Sequence, residues 1–359
     1  MTFKYSLCFG IIIVMGIIFA IGKNYFQTKE TVRWIPMPIS HVSNDGIDKP
    51  AKIFKMLWFA PPSWLSAQKT HIMDNCEFKN CEISFNKNDI ANFDLVLFNH
   101  AEINIQPPVK RNNQIWVFSS NESPPHTSNY YTQKQWVDKF DWTFSYRPDS
   151  EGYAPYGNIV PRETIKERNY FAIFEKKSKD VAWVVSNCHT ISKREQYVEK
   201  MRKIINVDIF GKCGKSCDDK GGGCKINLSK YYKFYLAFEN SMCKDYISEK
   251  LYHLFNDDTD FVPVVRGALN VKAMFPANTL ILTVDYNSPE ELAHYLKELG
   301  ANKTTYLSYL KDKDKYINKS DFYALGMCSL CDKLNNKFKR RTRLDILQLM
   351  SNVQCVLPK

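Results

Sequence analysis

The sequence predicts an α/β protein with two open-sheet domains facing each other across a cleft, carried behind an N-terminal membrane anchor. Three observations point there: an uncharged apolar run near the start, apolar stretches of strand length in the first third, and strand–helix alternation from about residue 158 onward. The chain's 359 residues suffice for two ordinary domains, and 44% hydrophobic with 14% aromatic residues is the composition of a folded protein.

The apolar run is "YSLCFGIIIVMGIIFAIG", Tyr5 to Gly22, with Lys4 before it and Lys23 after it. About 18 apolar residues is at the short end of what spans a bilayer. A cleaved signal peptide would have a shorter apolar core and a small-x-small cleavage site, which is not evident. The expected division is therefore a cytoplasmic tail at 1–4, an anchor at 5–22 and a stem at 23–50, where proline, asparagine, serine and charge mix without an apolar period. The flanking charges are too balanced to set orientation.

Residues 51–157 read as a first α/β domain, with "IFKMLWFA", "FDLVLFN" and "IWVF" as buried strands and "YTQKQWVDKF" as a helix or loop. Residues 158–345 read as the second, followed by a tail at 346–359. Its strands are "DVAWVVS", "VDIFG", "KFYLAFE", "FVPVV" and "TLILTV". Its helices are "SKREQYVEKMRKII", "CKDYISEKLYHLF" and "SPEELAHYLKELG", the last opened by serine and proline. Such alternation implies a parallel sheet covered by helices.

Of eleven cysteines only Cys8 lies in the apolar run, which leaves ten beyond it. An even number behind an anchor favours disulfides of unknown pairing. Zinc is the alternative for "CGKSC", "GGGC" and "CSLC", but no histidine stands at the usual offset. Sequons at Asn227, Asn302 and Asn318 also point to a lumenal body. The net charge of +11 suits a nucleic acid, a membrane surface or a phosphorylated small molecule. No basic stripe interleaved with aromatics is present, and with the anchor this argues against nucleic acid.

In "KFYLAFENSMCKDYISEKLYHLF" an apolar strand ends near Phe238, and Asn240 or Ser241 is placed to cap the helix expected next. The carboxyl edge of a parallel sheet, with a helix N-terminus beside it, suits an anion. Tyr246, Glu249, Lys250 and His253 follow at i, i+3, i+4 and i+7 and would share one helical face. Spacing alone slightly favours an ordinary amphipathic helix with a solvated charged side.

The words as a whole resemble the donor-binding motif of the α-1,3-fucosyltransferases, glycosyltransferase family 10, in "FYLAFENSMCKDYISEKLY". "WVFSSNESPPHT" resembles that family's acceptor-side ESP-x-H motif, "FSYRPDSEGYAPYG" its YR-x-DS…PYG segment, and "VVSNCHTISKREQYVEKM" its SNC…R segment, in the family's order. "CSLC" is more like the invertebrate and plant members. The resemblance implies a type II Golgi membrane enzyme of the GT-B fold, with its catalytic region in the lumen. It would move L-fucose from GDP-fucose to the 3-hydroxyl of N-acetylglucosamine in a glycan, with inversion. It implies no obligatory metal, Mn2+ being at most stimulatory.

By the same match Glu122 is the base that takes the acceptor proton. Arg194 and Lys250 face the GDP diphosphate, as arginine's planar fork and lysine's compact charge suit phosphate. Glu249 bonds sugar hydroxyls or stabilises the cationic sugar ring, and Asn240, Tyr246 and Tyr156 line the donor pocket. Ser186 and Asn187 either reach phosphate or ribose or cap the following helix. His126 is an acceptor contact or a structural histidine. A non-catalytic sugar-binding membrane protein of the same fold is the rival reading. Acceptor choice would lie in loops such as "APPSWLSAQKTHIMDNCEF".

Overall fold

A computed structural model describes residues 52–61, 72–74, 76–165, 167–217, 223–256, 259–319, 322–336, 345–351 and 353–358. The expected tail, anchor and stem at 1–50 lie outside the described residues, as does Cys8. Among the described residues no helix is long and apolar enough to cross a membrane.

The first sheet comprises β1 (Phe54–Ala60), β2 (Cys81–Ser84), β3 (Leu95–Asn99), β4 (Ile115–Ser119), β5 (Trp142–Ser145) and β6 (Gly152–Tyr153). Their order is β2-β1-β3-β4-β5-β6, and every neighbouring pair is parallel. β3 is buried along its whole length because side chains cover both faces of the sheet. Trp58 and Phe144 pack on one face, and Phe98, Trp116, Trp136 and Phe140 on the other. β1, β3 and β4 are the predicted strands. β5 was not predicted, since Thr143 and Ser145 break its apolar run; Glu151 accepts from the Thr143 N–H at 2.9 Å, and Ser150 pairs with Ser145.

β7 (Ile159–Pro161) leads out of this unit into α1 (Tyr170–Glu175), β8 (Lys179–Val184), α2 (Arg194–Met201), β9 (Val207–Phe210), α3 (Gly223–Ser229) and β10 (Tyr232–Phe238). There follow β11 (Met242–Cys243), α4 (Glu249–Tyr252), β12 (Val262–Arg266), β13 (Ile281–Leu282), α5 (Pro289–Ala301), α6 (Lys303–Lys313) and β14 (Tyr316–Asn318). The second sheet runs β13-β12-β10-β8-β9, again all parallel. Leu292, Leu296 and Leu299 of α5 bury its apolar stripe on one face, and the Ser288 hydroxyl caps it by accepting from the Glu291 N–H at 3.0 Å.

Two segments near the C-terminus pack against the first sheet. β14 pairs antiparallel with β7, and the chain then returns to the first sheet through α7 (Phe322–Asn335). Tyr323, Met327, Leu330 and Leu334 enter the first core, and the disulfides Cys76–Cys328 and Cys81–Cys331 fasten the helix there. A β-carbon at Gly326 would lie 2.5 Å from the Phe144 ring, so only glycine permits this approach. α7 thus packs with the first sheet, although it lies within the expected range 158–345 of the second domain. Within the expected tail at 346–359, α8 (Ile346–Ser351) packs on the other face of the first sheet, and β15 (Cys355–Val356) pairs with β11.

Cys243–Cys355, Cys188–Cys213 and Cys217–Cys224 complete five disulfides, which account for all ten cysteines beyond the apolar run. Among the described residues no cluster of three or more metal-binding side chains forms.

Candidate active site

The carboxyl end of β10 delivers Glu239, whose N–H donates to the Arg266 carbonyl at 2.8 Å and whose side chain is fully buried. Gly267 makes that position possible, because a β-carbon there would fall 2.8 Å from Glu239 Cγ. The carboxylate is enclosed by donors. Oε1 accepts from the Ser248 N–H at 2.8 Å, the Ser248 hydroxyl lies 2.8–2.9 Å from both oxygens, and Lys250 Nζ stands 3.1 Å from Oε2. Lys250 also reaches Ser248 Oγ at 2.7 Å and Glu249 Oε1 at 3.3 Å. Burial disfavours the Lys250 charge, but the Glu239 and Glu249 carboxylates outweigh it and hold the ammonium above its ordinary pKa. Burial likewise opposes the Glu249 charge, and Lys250 reverses the balance, so that carboxyl lies below its usual value. Glu249 is 44% exposed and Lys250 25%, so the pair faces outward over the buried Glu239.

The helix predicted over 243–255 forms only in its second half, as α4 followed by a 3-10 turn at His253–Phe255. Met242 and Cys243 form a strand with the C-terminal segment, Asp245 adopts a left-handed φ of 63°, and helix begins only at Glu249. Asn240 and Ser241 cap nothing, and Tyr246 does not share a helical face with Glu249. The Ser248 amide is committed to Glu239. The competing force is long-range: the disulfide to Cys355, 112 residues away, draws this stretch into extended pairing.

Arg194 also departs from expectation. It is 3% exposed, with Nη1 donating to the Phe238 carbonyl at 2.6 Å and Nη2 to the Asn187 carbonyl at 3.0 Å. Burial lowers its pKa, against the pull of Glu239. The guanidinium thus braces the site from behind, tying the end of β10 to the loop after β8. Ser186 and Asn187 on that loop are exposed and cap no helix, since Lys193 occupies the N-cap of α2. Asn240 is half-buried at the end of β10, and its carbonyl accepts from the Ser192 N–H.

The first unit meets this edge with the loop after β4. Tyr156 Oη donates to the Asn121 carbonyl at 2.6 Å, Asn121 Nδ2 donates to the Ala154 carbonyl, and Ser123 Oγ lies 2.6 Å from Ser241 Oγ across the two units. Between them Tyr246 Oη donates to Glu122 Oε2 at 3.3 Å. Pro124–His126 form a short 3-10 turn, and His126 Nε2 is buried without a hydrogen-bond partner among the described residues. The Tyr156 and Tyr246 phenols are held well above their ordinary pKa, by burial first and then by the surrounding carboxylates, Glu122 among them.

The fold therefore brings Glu122, Tyr156, Tyr246, Glu249, Lys250 and Asn240 to the junction of the two units, with Arg194 behind and Ser186 and Asn187 on an open rim. Reasoning from sequence missed Glu239 and Ser248. The signal was present in "FEN", a carboxylate at the last turn out of an apolar strand. One carboxylate on the first unit and a cation on the second can remove a proton on one side of a cleft and receive negative charge on the other. Residues 62–71 of the expected acceptor loop lie outside the described residues.

Residues 51–157 match the family description "Fucosyltransferase, N-terminal", and residues 174–349 match "Glycosyltransferase family 10 (fucosyltransferase) C-term". The chain is 32% identical over 272 residues to human 4-galactosyl-N-acetylglucosaminide 3-alpha-L-fucosyltransferase FUT6, with 74% of each covered. It is 33% identical over 283 residues to the Caenorhabditis elegans alpha-(1,3)-fucosyltransferase fut-1, covering 75% of this chain and 64% of that one. A crystal structure of an alpha1,3-fucosyltransferase shares the fold at a TM-score of 0.53 and 16% identity, covering 83% of this chain and 94% of the other.

Proposed function

Because the chain belongs to glycosyltransferase family 10, the fucosyltransferases, we propose that it transfers L-fucose from GDP-fucose to the 3-hydroxyl of N-acetylglucosamine in a glycan. The two parallel-sheet units are read as the GT-B layout, with the first unit facing the acceptor and the second holding GDP-fucose. The observation that carries this reading is Glu122 of the first unit bonded to Tyr246 of the second, on the same stretch of chain that carries the Glu239–Lys250–Glu249 array.

The reaction is a single displacement with inversion. The acceptor oxygen bonds to fucose C1 as the bond from C1 to the GDP β-phosphate oxygen breaks, the acceptor proton passes to Glu122, and GDP leaves with the electron pair. Lys250 is the cation nearest the departing diphosphate, held in place by Glu239, and Asn240 and the loop at Ser186 and Asn187 border the donor. Glu249, half-exposed beside Lys250, faces the sugar. Mn2+ is assigned at most a stimulatory part. We also propose that residues 5–22 anchor the enzyme in the Golgi membrane as a type II protein, a reading supported by five disulfides, which belong to an oxidising compartment.

The test is GDP release and product mass spectrometry with GDP-fucose and a panel of N-acetylglucosamine-bearing glycans. Glu122→Gln should lower transfer by about a hundredfold to ten-thousandfold and leave GDP binding intact. Wild-type rates in Glu122→Gln would remove Glu122 from its role. No transfer by the unaltered chain to any acceptor would favour the non-catalytic sugar binder.

A further inference from the structure

We propose that two of the chain's four sequons, those at Asn227 and Asn302, carry N-linked glycans in the folded enzyme, and that those at Asn121 and Asn318 do not. The proposal rests on the lumenal placement of the chain beyond residues 5–22 and assigns each sequon a state that the tripeptide alone does not distinguish.

The four tripeptides are "NES", "NLS", "NKT" and "NKS", at Asn121, Asn227, Asn302 and Asn318. Glycosylation joins the asparagine Nδ2 to C1 of an N-acetylglucosamine. Nδ2 gives up one proton to solvent, the bond from that carbon to the diphosphate of a lipid-linked oligosaccharide breaks, and the lipid diphosphate leaves with the electron pair. Transfer takes place on the extending chain, so the fold decides which products it can contain. A bulky, hydrated branch must stand on the surface.

Asn227 and Asn302 meet that condition. Both are exposed, and both make their local bonds through Oδ1, which glycosylation leaves intact. Asn227 Oδ1 accepts from Lys230 Nζ at 3.1 Å near the end of α3. Asn302 joins α5 to α6 and caps α6, its Oδ1 accepting from the Thr305 N–H at 3.1 Å. An exposed aromatic ring lies near each. Tyr231, 53% exposed, follows Asn227 across the turn in which the Lys230 N–H donates to the Asn227 carbonyl, and Phe171, 62% exposed, lies under the ammonium of Lys303, the residue after Asn302. A proximal sugar that covers such a ring takes apolar surface out of water. Both asparagines also belong to the amino edge of the second sheet. Tyr231 leads directly into β10, and α6 reaches the same edge, where the Tyr306 hydroxyl donates to the Lys233 carbonyl at 2.8 Å. The seven residues of β10 put about 20 Å between this edge and Glu239 at the other.

The remaining two sequons are part of the frame between the units. Asn121 is half-buried beside Glu122, and its Nδ2, the atom a sugar would occupy, donates to the Ala154 carbonyl at 2.8 Å. Its own carbonyl accepts from Tyr156 Oη, and Ser123 of the same tripeptide is fully buried against Ser241. Asn318 is half-buried in β14, where its Oδ1 accepts from the Asn158 N–H at 3.0 Å within the ribbon of β7 and β14. A β-carbon at Gly157 would lie 2.6 Å from that oxygen, so the side chain is closed in. A glycan at either position would part contacts that join the two units.

The experiment expresses the full chain in insect cells, isolates its monodisperse fraction, removes glycans with a peptide N-glycosidase in heavy-oxygen water, and maps the labelled aspartates by peptide mass spectrometry. Label at positions 227 and 302 and none at 121 and 318 is the expected result. Label at 121 or 318, or its absence from 227 or 302, overturns the proposal. Gel mobility gives a second readout that needs no peptide coverage. Asn227→Gln and Thr304→Ala, the latter keeping the Asn302 cap, should each remove one glycan, and the double variant should run with the enzymatically stripped chain; a residual shift in the double variant counts against the assignment. Trypsin applied to sealed microsomes tells the two possible failures apart. A protected body without glycans at 227 and 302 overturns this assignment alone, whereas a digested body overturns the lumenal placement and the assignment with it.

Discussion

Replacing Glu239 separates the hydrogen-bonded frame of the site from its charge. In Glu239→Ala the Ser248 N–H and hydroxyl, in a residue only 1% exposed, lose their acceptor, and Lys250 loses a carboxylate 3.1 Å away. Breaking a buried ion pair from one side costs about 3–5 kcal/mol. An orphaned buried donor adds about 1–3 kcal/mol. Lys250 keeps Glu249 at 3.3 Å and is 25% exposed, so its share is at the low end and the total is about 3–5 kcal/mol. For a chain of 359 residues that corresponds to a melting temperature lower by roughly 4–7 °C. Glu239→Gln keeps the shape and an acceptor oxygen for Ser248 and loses only the charge, for about 1–3 kcal/mol. Thermal and urea unfolding of both variants, with and without GDP, measures the difference. Equal losses would show that the ion pair, not the frame, carries the stability, and no loss in Glu239→Ala would refute the reasoning altogether.

His100 makes a prediction in acid. Its Nδ1 accepts from the Ser128 N–H at 2.9 Å, and burial pushes its pKa down to about 4. The folded state therefore binds fewer protons than the unfolded one between that value and about 6.5, so stability is full above this window and is lost as pH falls through it. The loss should reach about 3 kcal/mol, read as a falling urea midpoint, and His100→Gln should flatten the slope; an equal slope in the variant would exclude His100 as its source. For the link between α7 and the first sheet, Cys76→Ser with Cys328→Ser opens a crosslink of sequence separation 252. It should cost about 2–5 kcal/mol, and an unchanged unfolding midpoint would show that the apolar contacts of α7 suffice alone.

Most of the parallel-sheet architecture is legible in the sequence because its central strands are buried on both faces. β3, β4 and β10 are nearly continuous apolar runs, whereas β2 and β5 carry Glu82, Ser84, Thr143 and Ser145, and their strand character depends on neighbours that the local sequence does not reveal. The stretch after β10 shows the opposite failure. Its helical spacing is real, but the partners that decide its shape, Cys355 bonded to Cys243 and Asn270 bonded to Asp245, lie far along the chain. Arg194 is recognisable as the arginine that opens α2, yet its burial against the Phe238 carbonyl follows from how α2 packs. Glu239 escaped notice because a carboxylate at a strand end has no distinguishing pattern until Ser248 and Lys250 close over it.

The antiparallel ribbon of β7 and β14 gives the molecule a particular topology. The second unit is a guest inserted into a host whose own chain begins before it and ends after it, and both crossings lie side by side. A guest with neighbouring entry and exit can be exchanged as a cassette, so residues 162–316 should be transferable between relatives while 322–358 must stay with the host. The C-terminal strand breaks this modularity. By crossing back to pair with β11 it makes a third junction, and a chimera that ignores it would separate Cys355 from the loop it holds.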